Sequence, residues 1–569
     1  MRLQVIKSKN AASLYIVKSI YENKKRSSKV VKKLGTIAEL TKKLNGEDPV
    51  EWGKKYAAEL TCQEEESRRK VLVEYSPNKE APDGQKLFNG GYLFLQKIYS
   101  SLGLSELCNS IKERYDFKFD LDSILSRLIF SRIIYPASKL ETSELSKQFI
   151  EQPNFKLHQI YRALEIFSKE SDLIQSTVYN NSSKQEKRKT QVLYYDCTNY
   201  FFEIERESGL KQYGISKEHR PNPIVQMGLF MDGDGIPLAF NINPGNKNEQ
   251  LTMKPLEEKI LKEFNLSKFI VCTDAGLSSQ SNRELNSCGE RAFITTQSIK
   301  KLKAHLKDWA LDDDDWKIAG KEKIYNLGEI DEDKHNETLF YKDRWIKENN
   351  FSQRLVVTYS IKHKNYQRSI REQQISRALS ALEKKTSKLN KPRANDYKRF
   401  IKQTHCTKNG EIAEKNASCI NNEVIENEMI FDGFYAVCSN LEGDVKKIIQ
   451  VNKNRWEIEE CFRIMKTEFK ARPVYLSKDD RIKAHFLTCY LALTIFRILE
   501  KQLDKKFTCC EIISALKEMN FMKVRGEGYI PVYKRNKVIS SLHEQFGFRT
   551  DYQIVTNREI KKIIKKTKT

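Results

Sequence analysis

A short stretch near the C-terminal end, Asn454-Arg455-Trp456-Glu457-Ile458-Glu459-Glu460-Cys461-Phe462-Arg463-Ile464-Met465-Lys466, sets one carboxylate among three cations. At 3.6 residues per turn, Arg455, Glu459, Arg463 and Lys466 fall along one helical face. Ile458, Phe462, Met465 and Phe469 form a neighbouring apolar stripe that can seat the helix on a core. Such a helix suits a site that handles metal ions and phosphates.

Two further acids stand where chemistry would want them. Asp196 lies in Tyr194-Tyr195-Asp196-Cys197-Thr198, inside a hydrophobic run that reads as a buried strand, where an acid is costly unless paired or metal-bound. Asp274 ends a parallel-type strand in Cys272-Thr273-Asp274-Ala275-Gly276, the position at which open α/β sheets place their ligands. Three carboxylates without a His or Cys set suit hard cations, Mg²⁺ or Mn²⁺. Two such ions, roughly 3.5–4 Å apart, can activate a water or a 3′-hydroxyl and stabilise the leaving oxygen of an in-line phosphodiester displacement. Arg455, Arg463 and Lys466 would hold DNA phosphates or balance the charge of the transition state. Taken singly, each acid has a plainer reading. Asp274 can be a helix N-cap, Glu459 an i, i+4 partner of Arg455 or Arg463, and Asp196 a satisfied core acid.

These residues need elements to position them, and the hydrophobic pattern supplies candidates. Residues 192–205, 224–231 and 236–243 read as strands, the last two joined through Asp232-Gly233-Asp234-Gly235. A helix over about 249–264, a strand at 268–273, a helix at about 280–287 and a strand at 291–296 follow. Three antiparallel strands, helix, strand, helix, strand is the order of an RNase H-like α/β core. Residues 298–450 break that pattern, with possible strands at 355–360 and 434–439 and a long basic helix at about 368–390; they read as a β-containing insertion. Helices at 452–470 and 481–503 complete the core. Upstream, 91–176 is helical, with Asp120 as a candidate N-cap and the apolar spacing Leu121, Ile124, Leu125, Leu128, Ile129. It suits a structural bundle or a helix-turn-helix reader. Residues 2–34 read as a small basic β module, and 180–189 as a linker. The expected partition is therefore 1–85 basic β module and linker, 86–189 helical, DNA-binding domain, 190–297 first part of the core, 298–450 insertion, 451–505 second part of the core, and 506–569 a basic C-terminal region.

At 569 residues the chain exceeds one ordinary core. Its 100 Lys+Arg against 76 Asp+Glu give a formal charge of +24, which points to a polyanionic partner, nucleic acid first. Twelve cysteines without a Cys-x-x-Cys pair fit a reduced compartment and argue against structural zinc. No secretory signal is evident, and the apolar run at 486–496 is too short to span a bilayer, so the expected setting is cytoplasmic.

At these residues the sequence resembles the DDE transposases of bacterial insertion sequences, whose signature helix reads Tyr-x2-Arg-x3-Glu-x6-Lys. Arg455, Glu459 and Lys466 fit that spacing, and Asn452 stands at the Tyr position. Within the insertion-sequence-4-like superfamily the chain is most similar to the insertion-sequence-1634-like group. The similarity is carried by Tyr195-Asp196-Cys197-Thr198-Asn199-Tyr200-Phe201-Phe202-Glu203, Tyr213-Gly214-Ile215-Ser216-Lys217, Pro244-Gly245-Asn246 and Thr273-Asp274-Ala275-Gly276-Leu277. Asp432-Gly433-Phe434-Tyr435, Arg472-Pro473-Val474-Tyr475 and Ile482-x-Ala484-His485 also match. The resemblance implies that Asp196, Asp274 and Glu459 are catalytic and hold two Mg²⁺ or Mn²⁺ ions. It implies strand cleavage at element ends, strand transfer into target DNA, and a homodimer in a paired-end complex on double-stranded DNA, away from membranes. The gaps, 274 − 196 = 78 and 459 − 274 = 185 residues, suit an insertion before the Glu. In relatives such an insertion stacks an aromatic on a flipped base; Trp316 and Trp345 are candidates here, with a core role the simpler reading for each.

The loop 213–220 carries Lys217, His219 and Arg220 and, if near the acids, would let Lys217 and Arg220 grip the DNA backbone. His485 is expected to pack or cap within C-terminal helices, and Asp312–Asp315 to form a solvated turn. The competing functions are a nuclease on the same fold that cuts without joining, and a catalytically idle DNA-binding relic.

Overall fold

The computed structural model describes residues 1–7, 11–22, 25–44, 47–68, 77, 87–185, 187–348, 350–383, 396–406 and 412–569. They fall into two compact units, Met1–Gly84 and Gln85–Thr569. In the first, β1 (Arg2–Lys7), β2 (Ala12–Glu22) and β3 (Lys25–Thr36) make an antiparallel sheet in that order, followed by α1 (Ile37–Lys43) and α2 (Pro49–Arg68). Leu14, Ile16 and Val17 of β2 bury with Leu40 and Ala57 of the helices, while most of the lysines stay at the surface. Thr36 and Glu39 close a capping box that starts α1 where β3 ends.

The second unit begins with β4 (Leu87–Asn89) and six helices: α3 (Tyr92–Ser101), α4 (Leu104–Glu113), α5 (Leu121–Ile134), α6 (Lys139–Leu145), α7 (Leu157–Lys169) and α8 (Ser171–Gln185). Asp120 caps α5, accepting from Ser123 N at 2.9 Å. The stretch expected as a linker, 180–189, is instead largely the last turns of α8. Beyond it Arg188 is buried against Asp232 and donates to Ser182 Oγ at 2.8 Å and to the carbonyls of Ile236 and Pro237 at 3.0 Å each. Polarity alone suggested a loop; a desolvated ion pair explains it.

Next come β5 (Val192–Phe201), β6 (Ile224–Asp232), β7 (Pro237–Pro244), α9 (Met253–Glu263), β8 (Ile270–Thr273), α10 (Gln280–Leu285) and β9 (Ala292–Gln297). β5 pairs antiparallel with β6 and parallel with β8; β6 pairs antiparallel with β7 and β8 parallel with β9. The order of elements read from the sequence is therefore present. After α11 (Ala304–Leu311), the segment read as an insertion supplies β10 (Trp316–Ile318), β11 (Ile324–Tyr325), β12 (Phe340–Glu348), β13 (Phe351–Tyr359), α12 (Ile361–Glu383), β14 (Ile401–Cys406), β15 (Ile412–Ile420), α13 (Asn422–Met429) and β16 (Phe434–Ser439). Its longer strands do not form a separate sheet. They continue the central one, giving ten strands in the order β11-β10-β12-β13-β16-β9-β8-β5-β6-β7, with β14 and β15 paired apart. The C-terminal part of the expected helix at 368–390 lies outside the described residues.

The single helix expected at 452–470 is two: α14 (Val445–Lys453) and α15 (Trp456–Thr467), meeting at Asn454 and Arg455. α16 (Asp479–Gln502) is long and apolar enough to cross a membrane, but almost all of its apolar window is buried inside the protein, as for a core helix. Arg497 at its end is buried as well, donating to Gly235 O at 2.9 Å and pairing with Glu457 and Glu500. The chain ends with α17 (Cys509–Glu518), β17 (Asn520–Val524), β18 (Gly528–Pro531), α18 (Lys537–Phe546), β19 (Val555–Thr556) and α19 (Asn557–Lys568). β17 pairs with β4 in a sheet of order β19-β18-β17-β4, so the basic C-terminal region is folded onto the helical segment. A Cβ on Gly91 would fall 2.0 Å from Leu516 O, so glycine is what lets α3 start against α17. One continuous core takes side chains from α3–α5, α7 and α8, one face of the sheet, α14–α16 and α17–α19.

Candidate active site

β5 alternates across the sheet. Leu193, Tyr195 and Cys197 face the core under α9, whereas Tyr194 belongs to the core on the opposite face and donates its hydroxyl to Val451 O of α14 at 3.0 Å. The parallel ladder pairs Leu193 with Val271 and Tyr194 with Cys272. Two residues further along both chains, with Asp274 still extended (φ −83°, ψ 178°), that register sets Asp196 beside Asp274. A step of two keeps each on its own starting face, so both acids share the face of Tyr194 and Cys272. Both are half-buried.

The charges act on each other. Burial pushes the Asp196 carboxyl up to about 6; Lys217 opposes this most strongly, Asp274 adds to it, and Cys197 N, donating at 2.7 Å, and Arg455 oppose it further. Burial disfavours the Arg455 cation, yet Tyr435, Glu459, Asp274 and Asp196 together raise its pKa above the ordinary value. Arg455 is thus the cation common to all three acids. Asp274 also caps the following turn, accepting from Gly276 N at 2.9 Å. Glu459 pairs with Arg455 at 3.0 Å and remains 57% exposed. The plainer roles of these two acids are therefore real, and neither removes the residue from the cluster.

Lys466 reaches the same place from the last turn of α15. Its Nζ donates to Thr198 Oγ1 at 2.7 Å and approaches Glu218 at 3.4 Å. Burial first, then the like charge of Lys217, push its amine down to about 8, with Asp196 opposing. Lys217 donates to Cys197 O and lies 3.4 Å from Glu249. The Arg220 guanidinium sits 4.2 Å over the Phe201 ring. Arg463, placed on the same face by the helical-wheel reading, bonds instead to Glu460 at 2.7 Å through both Nε and Nη2 and reaches Glu468 at 3.3 Å.

Three participants were not singled out from sequence. Glu218, inside the loop read as basic, is held by Arg472 and Lys466. Thr198 is the hydrogen-bond partner of Lys466. Tyr435 brings a phenol from β16: its hydroxyl meets Thr296 Oγ1 at 2.7 Å and accepts from Asn452 Nδ2 at 3.2 Å. Asn452 lies on α14 and holds this tyrosine of β16. The Asp432-Gly433-Phe434-Tyr435 motif was the available signal. Trp316 is wholly buried in the core beside β12 and β13, whereas Trp345 on β12 is exposed. His485 is buried, its Nε2 3.1 Å from Ala471 O, and Asp312–Asp315 form an exposed bend.

Among the described residues, no three or more of His, Cys, Asp and Glu converge as a preformed metal set. What the geometry offers is a pair of neighbouring carboxylates, oxygen donors only, whose mutual repulsion a hard divalent cation would relieve. Glu459 is tied to Arg455, which itself answers to both of them.

Residues 362–495 match a family model described as the transposase DDE domain. That stretch is similar to transposase domains and contains Asn452, Arg455, Glu459 and Lys466; Asp196 and Asp274 lie before it. No curated protein matches the chain. Among solved structures, the piggyBac transposase synaptic complex with hairpin DNA aligns over 84% of this chain and 84% of that one, at 8% identity and a TM-score of 0.36.

Proposed function

We propose that this protein is a DDE transposase that cleaves phosphodiester bonds at the ends of an insertion sequence and joins them to target DNA. The observation that carries the proposal is the register of β5 against β8, which sets Asp196 beside Asp274 with Arg455 answering to both and to Glu459. The transposase-domain similarity over 362–495 supports it, as does a net charge of +24. The order β7-β6-β5-β8-β9 supports reading this half of the sheet as an RNase H-like core.

In this reading Asp196, Asp274 and Glu459 would hold Mg²⁺ or Mn²⁺, and those cations would supply charge neutralisation at the attacked phosphate and its leaving oxygen. Arg455, which answers to all three acids, would add its guanidinium at the same phosphate. Lys466 and Lys217 hold the flanking backbone, and Arg220 extends that contact. Double-stranded DNA is the partner, a homodimer pairs the two ends, and the reaction takes place in the bacterial cytoplasm.

The test is end cleavage and strand transfer on DNA carrying the element's inverted repeats, with Mg²⁺ or Mn²⁺. Joined products are expected. Cleavage without joining would leave a nuclease. Glu459→Gln should abolish cleavage and spare end binding, and unchanged cleavage in that variant would sink the assignment.

A further inference from the structure

Between α6, α16 and the chain after α15 lies a cavity of about 300 Å³ that the proposed chemistry does not use. Its wall carries Arg132, Lys139, Lys470, Arg472 and His485, and its single lining carboxylate, Glu141, is exposed. Lys139 is only 6% exposed, and its Nζ has no hydrogen-bond partner. Arg132, also buried, gives Nη1 to the carbonyls of Phe469 at 3.1 Å and Lys470 at 3.3 Å and Nη2 to Ala137 O at 3.1 Å, which leaves its Nε unpartnered. A buried ammonium without an acceptor, beside a second buried cation, is an arrangement that packing alone disfavours. Ordinary core positions of this depth hold apolar side chains.

We infer that this cavity binds a phosphate oxyanion, with Lys139 as its buried donor, the free Nε of Arg132 beside it, and Lys470 and Arg472 closing the rim. The absence of an acceptor for Lys139 is then filled by the ligand. Burial and the neighbouring Arg132 hold the Lys139 amine down to about 7, so an arriving anion would recharge it. His485 is held toward its neutral form by burial and by those same two cations, so the cationic donors here are the lysines and arginines. Arg472 also binds Glu218 of the acid cluster, so a phosphate held here would lie one side chain from that cluster. The phosphate can belong to a DNA backbone or be free; the recognition chemistry is the same.

Full-length protein distinguishes these. Inorganic phosphate, compared with chloride at matched ionic strength, should raise the melting temperature of the wild type and not that of Lys139→Met. The methionine variant, which replaces an orphaned ammonium by an apolar chain of similar length, should fold with equal or greater stability in chloride. Lys470→Gln, at the exposed rim, should reduce the phosphate response without depending on a core substitution. If the occupant is a DNA phosphate, Lys139→Met should also lower the slope of log K against log salt for duplex DNA by about 1. An unchanged slope with a lost phosphate response would assign a free phosphate. A phosphate response equal in wild type and Lys139→Met would overturn the inference. So would no response in the wild type together with an unchanged DNA slope.

Discussion

Replacing Lys217 with methionine should shift the acid limb of DNA cleavage upward by about one pH unit, on top of a pH-independent loss from its DNA-backbone contact. Burial holds the Asp196 carboxyl up at about 6, and Lys217 is the strongest force acting against that rise. An opposite charge at this range moves a carboxyl by roughly one to three units; the Lys217 side chain is 39% exposed, so screening favours the low end. The sign follows from the ionised form being the cation ligand. Removing Lys217 disfavours that form, raises the folded-state pKa, and makes protons better competitors for the same oxygens. With a pKa near 6, Asp196 is about nine-tenths ionised at pH 7 and about half at pH 6. Raised by one unit, those fractions become about half and about a tenth. Beyond the loss seen at about pH 9, cleavage rates measured at subsaturating Mg²⁺ should therefore fall by a further factor of about two at pH 7 and about five at pH 6. Lys217→Arg should keep the wild-type profile. A loss of equal size at every pH would refute the argument and make Lys217 a phosphate contact alone.

Two other perturbations test the frame that positions the site. Arg188→Met leaves Asp232 buried without its partner at the β6–β7 turn and should cost about 3–5 kcal/mol in denaturant unfolding, with Asp232→Asn in the same chain restoring part of it. A cost within error of zero would mean the pair is not desolvated as found. His543, buried and accepting from Thr550 N at 3.3 Å, is held down to about 4 by desolvation. Its folded pKa lies below the unfolded value, so its contribution is complete above about pH 6.5 and is lost as pH falls toward 4. The melting temperature of the wild type should therefore fall more steeply over that window than that of His543→Gln; parallel curves would show that the imidazole is not titrating there.

Much of the site was legible in residue types and spacing. The hydrophobic run of β5, the Asp-Gly-Asp-Gly turn and the strand ending at Thr273 are local patterns, and local patterns fix which face a residue takes once a strand is assigned. That was enough to name Asp196 and Asp274 and to expect β5 and β8 as parallel strands. The helical wheel did less well. It treated 452–470 as one helix, whereas the break at Asn454 and Arg455 puts Asn452 on α14; Arg463 stays on α15 with Glu459 and Lys466 but bonds to Glu460 and Glu468. Helix junctions depend on what the two halves pack against, and neighbours in sequence do not encode that.

Other features belong to contacts between residues far apart in the chain. Polarity marked 180–189 as a linker because an Arg reads as exposed until an Asp 44 positions away is brought against it. The 298–450 segment could be recognised as β-containing, but not as an extension of the same sheet, because sheet order is set by edge pairing across long separations. The basic C-terminal region gave no hint that β17 would pair with β4. Glu218, Tyr435 and the buried Lys139 are likewise invisible to spacing arguments, since each matters through partners on other elements. The chemistry on offer, three acids among cations on a strongly basic chain, follows from residue identity and short-range periodicity. Which of them meet depends on pairing across the chain: a parallel register sets Asp196 beside Asp274, Arg455 answers to both, and Glu459 is left exposed on its ion pair.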